Sequence, residues 1–328
     1  MKAVLFISFL TILHKIQCES GILYPRSSKT RELVSLDGLW QFSLYKQNTT
    51  KWSNKDKQSC NLEEVNEDLE LMPVPASYND ISTNAAVRDH VGTVRYQRQF
   101  IVPNSWEKKR VWLRFGSVCY SAKVHSPFFY FNEYIFFSGR IEQEYTFDFF
   151  NYAGIDRPVV LYTTEQTYVD DITITTKING NSGIVDYNIS IEGNDIFSHI
   201  VTIVNKRDEE IVTSDELSGS LIEVLDNNNN LLDHYEQPFG VRELSWDNKT
   251  FKINGKPLYL RGFGRHEDSD IRGKGLDLPL IIRDHNLIKW IGANSYRTSH
   301  YPYAEEIMDL ADSLGIMIID EVPAVNTE

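Results

Sequence analysis

The chain alternates before it does anything else. Val94-Arg95-Tyr96-Gln97-Arg98-Gln99-Phe100 and Val111-Trp112-Leu113-Arg114-Phe115 put apolar side chains at every second position, the period of a half-buried strand. Leu36-Asp37-Gly38-Leu39-Trp40-Gln41-Phe42 is a turn running into an aromatic strand, and Pro73, Pro75 and Pro103 punctuate the loops. Period-two runs separated by Pro, Gly and Asn clusters predict a β-sandwich over residues 19–165. A second β unit is predicted over 166–243. Ile172-Thr173-Ile174-Thr175 alternates there, as do Val185, Tyr187, Ile189 and Ile191, and 199–204 is a β-branched run. A unit built this way reads as an immunoglobulin-like sandwich. Asn227 to Asn230 reads as a loop inside it.

The period changes over residues 244–328. Ile253-Asn254-Gly255-Lys256-Pro257 is a hairpin turn, Leu258-Tyr259-Leu260 predicts a strand, and Gly262 to Asp270 reads as a Gly-rich polar loop. Leu280, Leu287, Ile288 and Ile291 fall on one face of a helix. Asn294 to Arg297 predicts a strand, and Ala304, Ile307, Met308, Ala311 and Leu314 recur at helical spacing up to Gly315, a natural stop. Ile316 to Ile319 is apolar throughout, as in a parallel strand buried on both faces. The order β-α-β-α-β opens a barrel or a doubly wound sheet. Both folds place their chemistry where strands end and helices begin, which here is Arg297 to Pro302 and Asp320-Glu321.

Composition narrows the function. A formal charge of −13 and a pI near 5.1 argue against a nucleic-acid binder, which needs a basic face. Residues 1–18 read as a secretory leader: Lys2 starts it, Ala3 to Leu13 is apolar, and Cys18 is a small residue at the cleavage point. That run is too short to span a bilayer, and no later segment approaches the roughly 20 apolar residues a span needs. Without Cys18, Cys60 and Cys119 remain, too few for a disulfide scaffold. Asn48-Thr49-Thr50, Asn188-Ile189-Ser190 and Asn248-Lys249-Thr250 are glycosylation acceptors in a lumenal protein. The expectation is the secretory pathway, with a lysosomal or extracellular destination.

Asn294-Ser295-Tyr296-Arg297-Thr298-Ser299-His300-Tyr301-Pro302, followed by a helix, Asp312, Gly315 and four apolar residues, resembles the first signature of glycoside hydrolase family 2. Asp148-Phe149-Phe150-Asn151-Tyr152-Ala153-Gly154-Ile155, Leu161-Tyr162-Thr163-Thr164 and Gly262-Phe263-Gly264-Arg265-His266-Glu267-Asp268 through Arg272-Gly273-Lys274-Gly275 resemble its β-glucuronidase branch. Across about residues 21–124 and 146–325 the resemblance implies a jelly-roll sugar-binding domain, an immunoglobulin-like domain and a TIM (β/α)8 barrel. It implies hydrolysis of terminal β-D-glucuronides with retention, on a glucuronide or a glycosaminoglycan-derived sugar, with no cofactor. The complete family member assembles as a tetramer, so a homo-oligomer is expected. Asp148 and His300 match substrate contacts. Arg297, Glu321 and Asn294 match supports of the barrel mouth.

The chain also departs from that pattern. Retention requires two carboxyls about 5–5.5 Å apart across the scissile bond. The resemblance places the acid in a later Asn-Glu-Pro motif and the nucleophile beyond it, and no Asn-Glu-Pro occurs in this sequence. Only three strands of a fold that closes with eight are expected. The chain is therefore expected to hold no catalytic carboxylate and to be inactive alone, with Glu321 a mouth residue rather than the acid. Between Val124 and Tyr145 the expected strands and Gly-rich turn are replaced by Pro127-Phe128-Phe129-Tyr130-Phe131 and Tyr134-Ile135-Phe136-Phe137, so segment 125–145 is aberrant. A loop also reads as shortened before Val241-Arg242. His266-Glu267-Asp268 reads as a loop brace, since three adjacent residues do not converge on a metal. Two further readings are a non-catalytic sugar-binding or subunit-interacting fragment and a β-galactosidase or β-mannosidase sibling. The Asp148–Ile155 and Arg265–Gly275 segments disfavour the siblings.

Overall fold

Alternation becomes burial in the first unit. A computed structural model describes residues 2–9, 23–44, 69–119, 122–125, 150–180, 182–193, 198–204, 210–214 and 221–322. Trp40, Phe42, Met72, Val74, Val94, Tyr96 and Phe100 all point inward. They come from a five-stranded antiparallel sheet ordered Glu70–Val74, Gly38–Leu44, Val94–Ile101, Lys2–Phe9, Ala122–His125. Facing residues Val159 and Leu161 come from a second sheet of Leu33–Ser35, Val159–Thr164 and Arg110–Phe115. The indole of Trp40 is satisfied locally, its Nε1 donating to the Leu36 carbonyl at 2.8 Å. Its ring meets Tyr96 edge-on at 6.4 Å, and Phe42 meets Tyr96 at 5.1 Å, geometries that add to the apolar burial.

Residues Lys2–Phe9, within the stretch read as a leader, form a strand. It lies inside the five-stranded sheet, antiparallel to both neighbours, with Phe6 opposite Gln97 on one side and His125 on the other. An apolar run rich in Val, Ile and Phe meets the demands of a ladder as well as those of a leader. The aberrant 125–145 segment, Asp148, Asn48 and Cys60 lie outside the described residues, apart from His125.

The second unit pairs a long hairpin, Tyr168–Asn179 with Ser182–Glu192, and a four-stranded sheet ordered Glu210–Ser214, Ser198–Val204, Leu221–Leu225, Leu231–Glu236. Val169, Val201, Val224 and Tyr235 form its small core. A buried ion pair joins it to the first unit. Arg31 donates from Nη2 to Asp233 Oδ2 at 2.5 Å and from Nε to Oδ1 at 3.0 Å, and its guanidinium lies over Tyr235. Thr30 Oγ1 and the Val169 amide donate to the same carboxylate, so its oxygens are well satisfied.

The third unit starts with a meander, Leu244–Trp246, Phe251–Ile253 and Lys256–Leu258, turning at Asn254-Gly255 as expected. A parallel sheet of Gly262–Arg265, Ser295–Thr298 and Met317–Ile319 follows, with helices Leu278–Trp290 and Glu305–Leu314 as crossovers. Asp277 caps the first helix by accepting from the Leu280 amide. Gly315, at φ +68°, ends the second in the left-handed conformation that glycine adopts without strain.

Three expectations are corrected here. The first parallel strand is Gly262–Arg265, not Leu258–Leu260, because only a side chain as small as hydrogen lets that backbone approach its neighbour: a Cβ on Gly262 would sit 2.0 Å from the Ser295 carbonyl oxygen. The packed face of Leu278–Trp290 is Ile281, His285 and Ile288, whereas Leu287 and Ile291 face outward. Ile316 is buried but Ile319 is half exposed, so the last strand is covered on one side only. Among the described residues no helix is long and apolar enough to cross a membrane.

His285 makes the third core sensitive to acid. Its Nδ1 lies 2.7 Å from the Ile281 carbonyl and its Nε2 3.2 Å from the Tyr296 hydroxyl. Burial pushes its pKa below the ordinary 6.5. A depressed histidine binds its proton more readily when unfolded, so its contribution is complete above pH 6.5 and is lost as pH falls below it. Thermal unfolding of the chain and of His285→Gln at about pH 7.5 and about pH 5.5 tests this. The variant is expected to lose less of its melting temperature on acidification, and equal losses contradict the assignment.

Candidate active site at the mouth of the parallel sheet

The C-terminal ends of the three parallel strands deliver Arg265-His266, Thr298-Ser299-His300 and Asp320-Glu321 to one rim. Parallel register does this without long-range design: Arg265 pairs with Thr298 and Arg297 with Ile319, so the next residues of each strand converge. Arg297 is the hub. Its Nε and Nη2 both donate to the Glu321 carboxylate, the first through a short contact and the second at 3.3 Å, and Nη2 also reaches His300 Nδ1 at 2.7 Å. The same ring nitrogen lies 3.3 Å from Glu321 Oε2, so His300 Nδ1 stands against both the guanidinium and the carboxylate. The arginine holds the Glu321 carboxyl below the usual range, so Glu321 is an anion and not a proton donor at neutral pH. Thr298 Oγ1 donates to Asp320 at 2.9 Å and accepts from the Glu321 amide at 2.9 Å, which fixes both acids at the strand end.

His266 sits across from His300, the rings edge to face at 5.6 Å, and its Nδ1 is 3.8 Å from Asp268. Glu267 turns away from the mouth and braces the loop as expected. It accepts from the Ala304 amide at 3.1 Å and lies 3.7 Å from Arg157, which also donates to the Pro302 carbonyl. Burial raises the Glu267 pKa, opposed by Arg157 and Lys274. Among the described residues no three His, Cys, Asp or Glu side chains are grouped to hold a metal ion.

Asn294 is corrected. It precedes the Ser295–Thr298 strand and therefore lies at the end opposite the mouth. There it accepts from the Arg261 amide at 2.7 Å and donates to the Tyr259 carbonyl at 3.0 Å, tying two strand entrances together. Arg297, His300 and Glu321 do come together.

The sequence did not point to the seam beneath the mouth. Ser77 Oγ donates to buried Asp156 at 2.8 Å and accepts from the Lys274 amide at 3.1 Å, while the Ser77 amide donates to the Arg272 carbonyl. The Asp156 carbonyl accepts from the Leu276 amide, and Lys274 Nζ lies 3.9 Å above the Tyr301 ring. Burial raises the Asp156 pKa and pushes the Cys119 thiol beside it up to about 12. The first unit thus anchors loop 266–276, which carries His266. The Arg272-Gly273-Lys274-Gly275 stretch was the available signal: a Cβ at Gly273 would meet Ser77 at 2.6 Å and one at Gly275 would meet the Ala76 backbone at 2.6 Å.

Residues 244–328 match the family described as glycosyl hydrolases family 2, TIM barrel domain. The chain is 39% identical to a β-glucuronidase of Paenibacillus borealis, over 93% of this chain and 61% of that one, and 34% identical to the Homo sapiens β-glucuronidase, over 94% and 59%. The Paenibacillus alignment runs over 374 positions although this chain has 328 residues, so the relative carries segments within the matched span that this chain lacks. Among solved structures, an uncultured Clostridium sp. β-glucuronidase superposes with a TM-score of 0.77 at 37% identity, covering 94% of this chain and 62% of the other. A Ruminococcus gnavus β-glucuronidase in complex with D-glucuronic acid superposes with a TM-score of 0.80 at 28% identity, covering 94% and 63%. The chain spans less than two thirds of the length of these relatives. A β-rich body carrying parallel strands whose ends gather Arg297, His300 and Glu321 thus goes with a family 2 glycosyl hydrolase barrel match over residues 244–328 and with similarity to β-glucuronidases along 93–94% of this chain.

Proposed function

We propose that this chain supplies the sugar-facing opening of a retaining β-glucuronidase, the whole protein hydrolysing terminal β-D-glucuronides. The observation that carries the reading is the Arg297–His300–Glu321 constellation at the strand ends. His300, held through Nδ1 by Arg297 and Glu321, offers its Nε2 to a sugar hydroxyl or carboxylate, and Asp148 is the second substrate contact. Arg297 and Glu321 act by holding His300. The two-sheet sandwich is read as the jelly roll, the second β unit as the immunoglobulin-like domain, and the parallel strands as the first three of the barrel. A related structure holding D-glucuronic acid supports the substrate class.

The acid and the nucleophile belong to parts of the fold this sequence does not contain, since it has no Asn-Glu-Pro motif. The purified chain is therefore expected to release no product from a chromogenic β-glucuronide, and turnover abolished by a glucuronidase inhibitor would overturn that. Passage through the secretory pathway and assembly with further copies belong to the same proposal. The apolar groups left bare on the third unit, Trp290 at 82% exposure, Tyr259 at 79% and Val322 at 71%, are consistent with a surface made to be covered.

A further inference from the structure

The hairpin that opens the third unit carries two bare aromatic rings beside a glycosylation acceptor. Trp246 and Phe251 are cross-strand partners between Leu244–Trp246 and Phe251–Ile253. Their rings stack with centroids 6.0 Å apart and planes 11° from parallel. Trp246 is 72% exposed and Phe251 41%. With Asp247, Lys249 and Thr250 they line an open cleft of about 590 Å³. The connecting turn is Asp247-Asn248-Lys249-Thr250. It is held by the Asp247 carboxylate, which accepts from the Lys249 and Thr250 amides at 2.8 and 2.9 Å, and by the Asp247 amide donating to the Thr250 carbonyl at 3.0 Å. Asn248 is exposed at its tip.

We propose that Asn248 is a glycosylated position and that the first N-acetylglucosamine of its glycan lies against the Trp246–Phe251 face. The proposal rests on the secretory reading. A pyranose ring has an apolar face of axial C–H groups, and an exposed indole is a flat apolar surface with a polar edge. Two stacked rings left in water cost solvation that a covalently tethered sugar recovers without the entropy of a separate association. The placement distinguishes Asn248 from Asn188. Asn188 lies within the Ser182–Glu192 strand opposite Thr173, and its neighbour two residues back is Asp186 rather than a ring. A sequon on a surface turn is presented for modification in a way that one in the middle of a ladder is not.

The test is the full chain translated into microsomes, once with its own N-terminus and once behind a strong heterologous leader, with glycopeptides read by mass spectrometry. Asn248 is expected to carry a glycan at higher occupancy than Asn188. Trp246→Ala is expected to lower that occupancy and to speed release of the glycan by an endoglycosidase under native conditions, while Trp246→Phe keeps both near the parent. The ring is largely exposed, so its removal leaves the fold in place. A glycan at Asn248 seen only with the heterologous leader upholds this inference and overturns the secretory reading. An unmodified Asn248 in imported chains, or an occupancy and release rate indifferent to Trp246→Ala, overturns the inference itself.

Discussion

Asp233→Ala is expected to destabilise the chain by about 3–5 kcal/mol, the cost of stranding one member of a buried ion pair. Arg31 and Asp233 are 3% and 0% exposed at their side chains, so water cannot replace the missing partner. The same substitution also removes the acceptor of the Val169 amide and leaves Thr30 Oγ1 only its longer contact with Ser28 Oγ as an outlet for its proton, in the seam between the first two units. The pair is not the source of net stability in itself. An Arg31→Met, Asp233→Leu double variant removes both charges and is expected to lose less than Asp233→Ala alone. Denaturant titration of the three chains reads this directly. A single variant within about 1 kcal/mol of the parent would show that Arg31 has found another partner or solvent.

Gly262→Ala is the second large effect. The added methyl meets the Ser295 carbonyl oxygen and carbonyl carbon at 2.0 and 2.6 Å, both backbone atoms of the paired strand. Neither can swing aside as a side chain end could, so the two strands must part. Overpacking of this kind costs about 1–3 kcal/mol, occasionally more, and here it falls on the ladder that aligns Arg265 with Thr298. Hydrogen exchange is the suitable readout: amides of Ser295–Thr298 should lose protection while those of Val94–Ile101 keep theirs. Unchanged protection in the third unit would mean the strands are not paired in this register.

The same glycine shows where the sequence was legible and where it was not. Apolar periodicity located the sandwich strands, since Trp40, Phe42, Val94 and Tyr96 alternate inward as written. It located the mouth too, because a parallel strand's C-terminal end follows from chain order, which sets Arg297, His300 and Glu321 at one rim. Gly262 and Gly264 defeated it, because glycines look like loop in a sequence and only the folded neighbours, the Ser295 backbone at Gly262 and the Ser299 side chain at Gly264, reveal that they mark close approach. His285 defeated the helix face, since a polar residue at the centre of a buried stripe shifts the apparent period. Asn294 stood one residue outside its strand, enough to move it to the other end. Ser77, Asp156 and Lys274 meet across 197 residues of chain, a distance that no local pattern spans.

Lys2–Phe9 has a consequence for timing. In the folded sheet these residues satisfy the facing edges of Val94–Ile101 and Ala122–His125. As an export leader they would be severed while the rest of the chain was still emerging. The two fates compete for one segment, and the outcome depends on which comes first. Folding ahead of cleavage buries the bond a peptidase must reach. Cleavage ahead of folding leaves two strand edges with nothing between them, a gap that must be filled by another stretch of chain or remain sticky. The first sandwich would then be a clock: the form in which it accumulates reports whether the ribosome or the peptidase won.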